Sequence, residues 1–292
     1  MNADMSHVQF LFVLLVVVTG CEDGRVPGPS KEASSVSQLS QSPVGDIQPP
    51  TDGSLALDAY IQDGMPAHDR SWSGADMVRT ASVLNTIAQK DAGHLPRYQS
   101  PRSGELFKRI TSNDNLVLHR NRQLLVEQRL PDAMDYMKSH NQTLKIYLEA
   151  FIKHQVADSE LVELMSSQLD VAVVMIQLVD EFLPTLDKND RTYPVRMKGL
   201  AQLKHGMAGI VAGTMQTLTE SHAYRSAELK RLVNQMRRTF PEILPAIPEG
   251  SRSEALVRLR SFLDDPKMQH LKPELSDLVI AVEMSVNADK AL

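Results

Sequence analysis

Cysteine is almost absent from this chain, which has one such residue in 292. A single thiol excludes an intrachain disulfide and any metal site built from several cysteines. Aromatic residues are also scarce, at 5% of the chain, whereas methionine reaches 14 residues. A core of this composition is built mainly from Leu, Val, Ile and Met, which favours packed helices over a β-sandwich.

Excess positive charge and the common catalytic motifs are missing as well. The 31 Lys and Arg side chains are outnumbered by 36 Asp and Glu side chains, giving a net charge of −5. This balance argues against nucleic-acid binding by the whole chain, because phosphate contacts need clustered cations. Neither a His-Glu-x-x-His zinc motif, a Gly-x-Ser-x-Gly elbow nor a phosphate-binding loop occurs. The sequence therefore predicts no metal site, no cofactor and no catalytic residue.

An apolar run near the start of the chain is followed by the only cysteine. Residues 8–18 read VQFLFVLLVVV, and a helix of eleven residues is too short to cross a hydrocarbon core of about 30 Å. Thr19 and Gly20 come next and lead directly to Cys21. This stretch resembles the signal of bacterial lipoproteins, in which small residues precede a cysteine that is acylated and becomes the new N-terminus.

The resemblance implies that residues 1–20 are a signal peptide and that Cys21 carries the lipid. Two or three acyl chains hold a protein to a membrane far more firmly than one chain does. The expected location is the bacterial cell envelope, with the membrane as a partner through this anchor. Glu22 stands where an aspartate would imply retention in the inner membrane, so the periplasmic face of the outer membrane is preferred.

Residues 21–66 form a predicted linker rich in Ser, Pro and Gly. Such a segment buries too little apolar surface to offset its ordering entropy, so we expect a disordered tether. Residues 22–55 of it would have a root-mean-square reach of about 30 Å. A short helix within residues 55–61 is a further expectation, because Leu55, Leu57 and Ile61 interrupt the polar composition.

Residues 67–292 show helical periodicity almost throughout and predict an irregular all-α bundle of about seven to nine helices. The domain is expected to be single, with a possible division into two packed halves near residues 187–192. The predicted helices are 74–92, 103–111, 115–129, 131–155, 158–186, 193–222, 225–244, 252–264 and 273–290.

Predicted helix 158–186 is apolar on most sides, which indicates a buried core helix. Predicted helix 193–222 carries glycines in its interior, including Gly206, Gly209 and Gly213. Since each interior glycine costs about 1 kcal/mol relative to alanine, these positions need a reason. Close approach of a neighbouring helix is one reason, and a groove for a ligand or partner is the other.

Charge along the chain is arranged in blocks. Residues 132–190 hold eleven acidic and four basic side chains, whereas residues 191–238 hold two acidic and nine basic ones. Either these helices neutralise each other inside the bundle, or the basic residues form an exposed patch for an envelope protein or an anionic glycan or lipid. The candidate patch consists of Lys230, Arg231, Arg237 and Arg238.

Three functions follow as hypotheses. The preferred one is a lipid-anchored, non-enzymatic binding or scaffold module, since no catalytic motif is present. The second is an enzyme acting on cell-wall glycan or lipid, whose acid is one of Glu149, Glu160, Glu163 or Glu220. The third is a helical pocket for a small apolar ligand, with the glycine-rich helix as its wall.

Overall fold

The structure is a computed structural model that describes residues 53–67, 70–154, 158–220 and 224–291. Within these ranges the chain forms helices joined by short turns, and none of the described residues lies in a strand. The prediction of an all-α multi-helix bundle is therefore confirmed. The predicted signal peptide, Cys21 and the first part of the predicted linker lie outside the described residues. The α-helices, in chain order, are α1 Gly53–Ala59, α2 Gly74–Asp91, α3 Gly104–Ile110, α4 Val117–Arg120, α5 Val126–His154, α6 Asp158–Phe182, α7 Tyr193–Thr219, α8 Ser226–Ala246, α9 Glu249–Asp264 and α10 Lys272–Ala291.

The bundle includes part of the predicted linker. Helix α1 continues into a π-helical turn, Tyr60–Gly64, and packs against α2. Leu57 is buried there, and the Tyr60 hydroxyl lies 2.7 Å from the Thr80 Oγ1. The short helix expected within residues 55–61 is therefore present as α1 and the π-helical turn, and its contacts with α2 bury apolar side chains of this segment.

Helix α6 lies at the centre of the bundle, between α5 on one side and α8 on the other. Helix α2 packs on the outer side of α5, and α10 packs on α8. Among the described residues, one helical stretch, Ser159–Thr185, has the length and apolarity of a membrane span, yet 78% of its most apolar window is buried inside the protein. It is therefore the core helix that its periodicity predicts.

Buried apolar side chains from Ala56 to Val286 form one continuous cluster, which includes residues on both sides of 187–192. Since all of the buried hydrophobic side chains in the described part of the chain lie within this range, a chain that starts at Glu22 retains the whole of this core.

The predicted helix 115–129 does not form as one element. Helix α4 is a single turn, and the chain then loops before α5 begins at Val126. The buried Arg129 explains the break, because its Nε donates to the Leu124 carbonyl at 3.0 Å and its Nη1 donates to the His119 carbonyl at 2.9 Å. A side chain thus satisfies carbonyl groups that a continuous helix would have paired with its own N–H groups.

Candidate functional site

The four basic residues of the candidate patch lie on α8, and three of them form ion pairs with neighbouring helices. Their side chains are about half exposed, so each pair contributes about 1 kcal/mol or less. Arg238 is exposed as well. The basic helix is thereby neutralised on two sides, by acidic residues of α6 and α10. The pairs are Lys230–Glu274 (Nζ to Oε1, 3.1 Å), Arg237–Asp277 (Nη1 to Oδ2, 3.0 Å) and Arg231–Glu163.

Glu160, one of the candidate acids, is buried and surrounded by donors. Its carboxylate accepts the Tyr98 backbone N–H at 2.8 Å and the Ser159 hydroxyl at 3.1 Å, and it lies 3.2 Å from the Arg97 Nε. Burial raises the pKa of the neighbouring Tyr147 well above its usual value of 10.0, and the negative charge of Glu160 adds to that rise. The arrangement ties α6 to the loop before α3, which is a structural role.

Two further candidate acids lie in surface ion pairs. Glu163 pairs with Arg231, and Glu149 lies 3.7 Å from the Nζ of Lys153, one turn along α5. Glu220 differs from them, because it follows the end of α7 and lines a cavity. Among the described residues, no group of three or more His, Cys, Asp or Glu side chains is placed to hold a metal ion.

The cavity has a volume of about 320 Å³ and lies between α5, α6, α7 and α9. Its walls are mostly aliphatic, aromatic and thioether side chains, which have no strong hydrogen-bond donors or acceptors. A pocket lined largely by such side chains favours apolar occupants. The larger apolar side chains that line it are Leu148, Phe151, Met165, Val211 and Met215.

Helix α7 creates this space because it presents a row of very small residues to the cavity. Ala208, Gly209, Ala212 and Gly213 all line it, and Ala212 is exposed to solvent at its mouth. Side chains of ordinary size at these positions would occupy the volume between α7 and the neighbouring helices. Two of the three glycines singled out from the sequence thus belong to the cavity wall, and Gly206 is not among the lining residues.

Close helix packing does not explain the other interior glycines of α7. A Cβ atom added at Gly199 or at Gly206 would meet nothing within 4 Å. At these two positions the first explanation considered from the sequence, close approach of a neighbouring helix, is wrong.

One side of the cavity is polar, and Arg258 of α9 is at its centre. The Arg258 Nη2 donates to the Gln216 Oε1 at 2.6 Å and to the Thr219 Oγ1 at 2.9 Å. The Gln216 Nε2 in turn donates to the Glu220 Oε1 at 3.0 Å. Glu254, one turn before Arg258 on the same helix, also lines the cavity. We call Arg258, Gln216, Glu220 and Glu254 the polar rim.

The charges of the polar rim affect each other. Partial burial lowers the pKa of Arg258 from its usual 12.5, and the negative charges of Glu254 and Glu220 oppose that change. Arg258 therefore remains a cation that lies in the field of two carboxylates.

Sequence analysis singled out the glycines of α7, with a ligand groove as one of two explanations, but it did not single out Arg258 or Glu254. Their helical spacing was the available signal, since Gln216 and Glu220 are four residues apart, as are Glu254 and Arg258. That spacing is common on solvated helices and becomes informative only when α7 and α9 are seen to face each other. Comparison with protein-family models, with curated proteins and with solved structures finds no match for this chain.

Proposed function

We propose that the mature protein begins at Cys21 and is held by lipid at the periplasmic face of the bacterial outer membrane. The proposal rests on the apolar run of residues 8–18 and on the small residues Thr19 and Gly20 that separate it from the only cysteine. Acylation of this thiol, together with acylation of the new amino terminus, supplies the two or more chains that stable anchoring requires.

Replacing Cys21 with alanine is expected to abolish lipid labelling. Bacterial cells that express the wild-type chain or the Cys21→Ala variant are grown with labelled palmitate, and the label per molecule of purified protein is compared. We expect label in the wild-type protein and only background in the variant. Equal labelling of the two proteins would contradict the lipid anchor.

We infer that the helical domain is a non-enzymatic binding module that holds a small, largely apolar ligand in the cavity beside α7. The cavity carries this proposal: its volume of about 320 Å³ falls in the range of small-molecule sites, about 300–1,000 Å³, and its wall is mainly apolar with a few polar groups on one side.

A binding role also fits the state of the carboxylates better than an enzymatic role does. Glu149, Glu160 and Glu163 are each engaged by a cation, as described above. Glu220 alone of the four candidate acids faces the cavity, and it accepts a hydrogen bond from Gln216.

Blocking the mouth of the cavity is expected to weaken binding of an apolar probe at least tenfold. The probe is N-phenyl-1-naphthylamine, a neutral dye that fluoresces when it leaves water, and the protein is the 22–292 chain, which retains the whole core. In the Ala212→Trp variant the indole covers the mouth, because Ala212 is both exposed and part of the lining.

The matched control is Ala201→Trp. Ala201 is an exposed alanine on the same helix and lies on nearly the same face, eleven residues or about 16 Å away, outside the lining. This variant is expected to bind the dye as the wild type does, and circular dichroism checks that both variants are folded. Absence of saturable binding to the wild type, or equal loss in both variants, would rule out the cavity as the site.

A further inference from the structure

The polar rim gives the cavity a second, chemically distinct end. Arg258, Gln216 and Glu220 are joined by hydrogen bonds, and Glu254 lies one turn from Arg258. The opposite walls are formed by apolar side chains of α5 and α6, among them Leu148 and Met165. A ligand that matches both ends is an amphiphile, with its tail between the helices and its head at the rim.

Some N–H groups of the Arg258 guanidinium do not take part in the hydrogen bonds described above. Its hydrogen bonds to Gln216 and to Thr219 both come from Nη2. Arginine carries five N–H groups, and the hydrogen bonds to described residues come from Nη2, not from Nε or Nη1. The side chain is only partly buried and lines the cavity, so these N–H groups are available to a ligand oxygen.

The signs of the rim charges decide which head fits. An anionic head would gain one cation, Arg258, and would meet two carboxylates, Glu220 and Glu254. A cationic head would meet the same two carboxylates favourably, but it would be repelled by Arg258 and would leave the guanidinium N–H groups without an acceptor. A hydroxyl group avoids both conflicts, because it accepts from a guanidinium N–H and donates to a carboxylate oxygen at the same time.

The size of the cavity decides which tail fits. A volume of about 320 Å³ is at the lower end of the range for small-molecule sites. One acyl chain suits such a space, and a lipid with two full-length chains does not.

We propose that the ligand is a neutral, single-chain amphiphile with a hydroxyl-bearing head, such as a monoacylglycerol or a simple glycolipid. Its tail occupies the apolar space beside Gly209 and Gly213, and its hydroxyl groups bridge Arg258 to Glu220 and Glu254. This inference rests on the proposed binding function of the cavity and specifies the class of its ligand.

Displacement of bound N-phenyl-1-naphthylamine from the 22–292 chain tests the proposal. Three amphiphiles with the same twelve-carbon chain are compared below their micelle concentrations: monolauroylglycerol, which is neutral, laurate, which is an anion, and dodecylamine, which is a cation at pH 7. We expect monolauroylglycerol to displace the dye at a concentration at least tenfold lower than either charged compound.

Two variants assign the preference to the rim. Glu254→Gln removes a negative charge and is expected to improve displacement by laurate about fivefold, whereas Arg258→Met is expected to weaken displacement by monolauroylglycerol about tenfold. The matched control for Arg258→Met is Arg260→Met, since Arg260 lies on the same helix, is exposed and pairs with Glu283 outside the cavity. The control is expected to leave all three displacement curves unchanged.

Dye binding tests the proposed function, and the comparison of the three amphiphiles tests the class of ligand. If the wild type binds the dye and Ala212→Trp does not, but the three amphiphiles are equivalent or laurate is strongest, the cavity binds ligands and the neutral-head assignment is overturned. Loss of monolauroylglycerol preference in Arg260→Met as much as in Arg258→Met also overturns it. If the wild type does not bind the dye at all, the proposed function and this inference are both overturned.

Discussion

Replacing Arg97 with methionine is expected to lower the free energy of unfolding by about 3 kcal/mol, because breaking a buried ion pair leaves a charge without its partner. The side chain of Glu160 is 3% exposed, whereas that of Arg97 is 35% exposed, so the variant strands the more deeply buried member. Two donors remain for the carboxylate, the Tyr98 N–H and the Ser159 hydroxyl, which is why the expected cost is at the lower end of the usual range. Urea unfolding at pH 7, followed by circular dichroism, measures the change.

A second substitution separates the charge from the loss of packing. In the double variant Arg97→Met/Glu160→Gln the buried group is neutral and still accepts from Tyr98, so more than half of the lost stability should return. If the double variant is no more stable than Arg97→Met, the stranded charge is not the cause. A fully stable Arg97→Met variant would show that Glu160 does not depend on its partner, and would reopen a role for this carboxylate beyond structure.

Stability is expected to fall by about 2 kcal/mol between pH 7 and pH 4.5 because of a single buried histidine. His140 is fully buried, with Nδ1 2.6 Å from the Gln168 Oε1 and Nε2 3.1 Å from the Ser167 Oγ. Because the amide oxygen only accepts, Nδ1 carries the proton and Nε2 accepts from the serine hydroxyl. Burial lowers the pKa of His140 from 6.5 to about 4, although the hydrogen bond to Gln168 opposes this.

Acid destabilises the folded protein because the unfolded chain binds a proton at His140 more readily than the folded chain does. Below pH 6.5 the histidine of the unfolded chain is protonated, whereas His140 in the folded chain stays neutral until the pH approaches 4. Lowering the pH across this range therefore favours unfolding. The full effect of a shift of this size is about 3 kcal/mol. Burial also lowers the pKa of His119, with the charge of Asp132 opposing it, so His119 adds to the loss in the same direction.

The His140→Gln variant tests the assignment, since glutamine keeps a donor and an acceptor but does not titrate in this range. We expect its stability to change less between pH 7 and pH 4.5 than that of the wild type, by about 2 kcal/mol. His205→Gln is the control, because His205 is exposed and donates only to the Ala201 carbonyl. Identical pH profiles for the wild type and His140→Gln would refute the role of this group.

Helix boundaries that depend on local chemistry were predicted well from the sequence. Ser73 directly precedes the predicted helix 74–92. Its hydroxyl accepts the Asp76 N–H, and the Asp76 carboxylate accepts the Ser73 N–H, at the start of α2. An N-cap of this kind is readable because donor and acceptor are three residues apart. The predicted helix 252–264, in contrast, begins three residues earlier, at Glu249 directly after Pro248, which fits the strong tendency of proline to precede or open a helix.

The break between α4 and α5 is not predicted by the local sequence pattern. Residues 115–129 have helical periodicity, yet Arg129 also pairs with Glu181, and Asn115 forms hydrogen bonds with residues that are distant along the chain. Asn115 accepts the Trp72 N–H at 3.0 Å and donates to the Tyr136 hydroxyl at 3.2 Å. These contacts cross 43 and 21 residues of the chain, so no window of sequence of ordinary length contains both members.

The same distinction applies to the candidate site. Gly209 and Gly213 stood out in the sequence because glycine is costly inside a helix. Arg258 did not stand out, because nothing in the residues around it distinguishes it from the other Lys and Arg side chains, 31 in all. Likewise, the basic residues of α8 were recognised as a block, but only the packing of α6 and α10 beside them decides that three of the four are paired.

By itself the sequence determined the helical class of this protein, the core character of α6 and the presence of unusually small residues on α7. These properties depend on spacing along one helix, and periodicity encodes which face of a helix is apolar. The tertiary structure alone decided that the small residues face a cavity and that Arg258 lies beside Glu220. A cavity is the volume that remains when four helices have packed, so its existence depends on the relative positions of all four and is encoded in none of them separately.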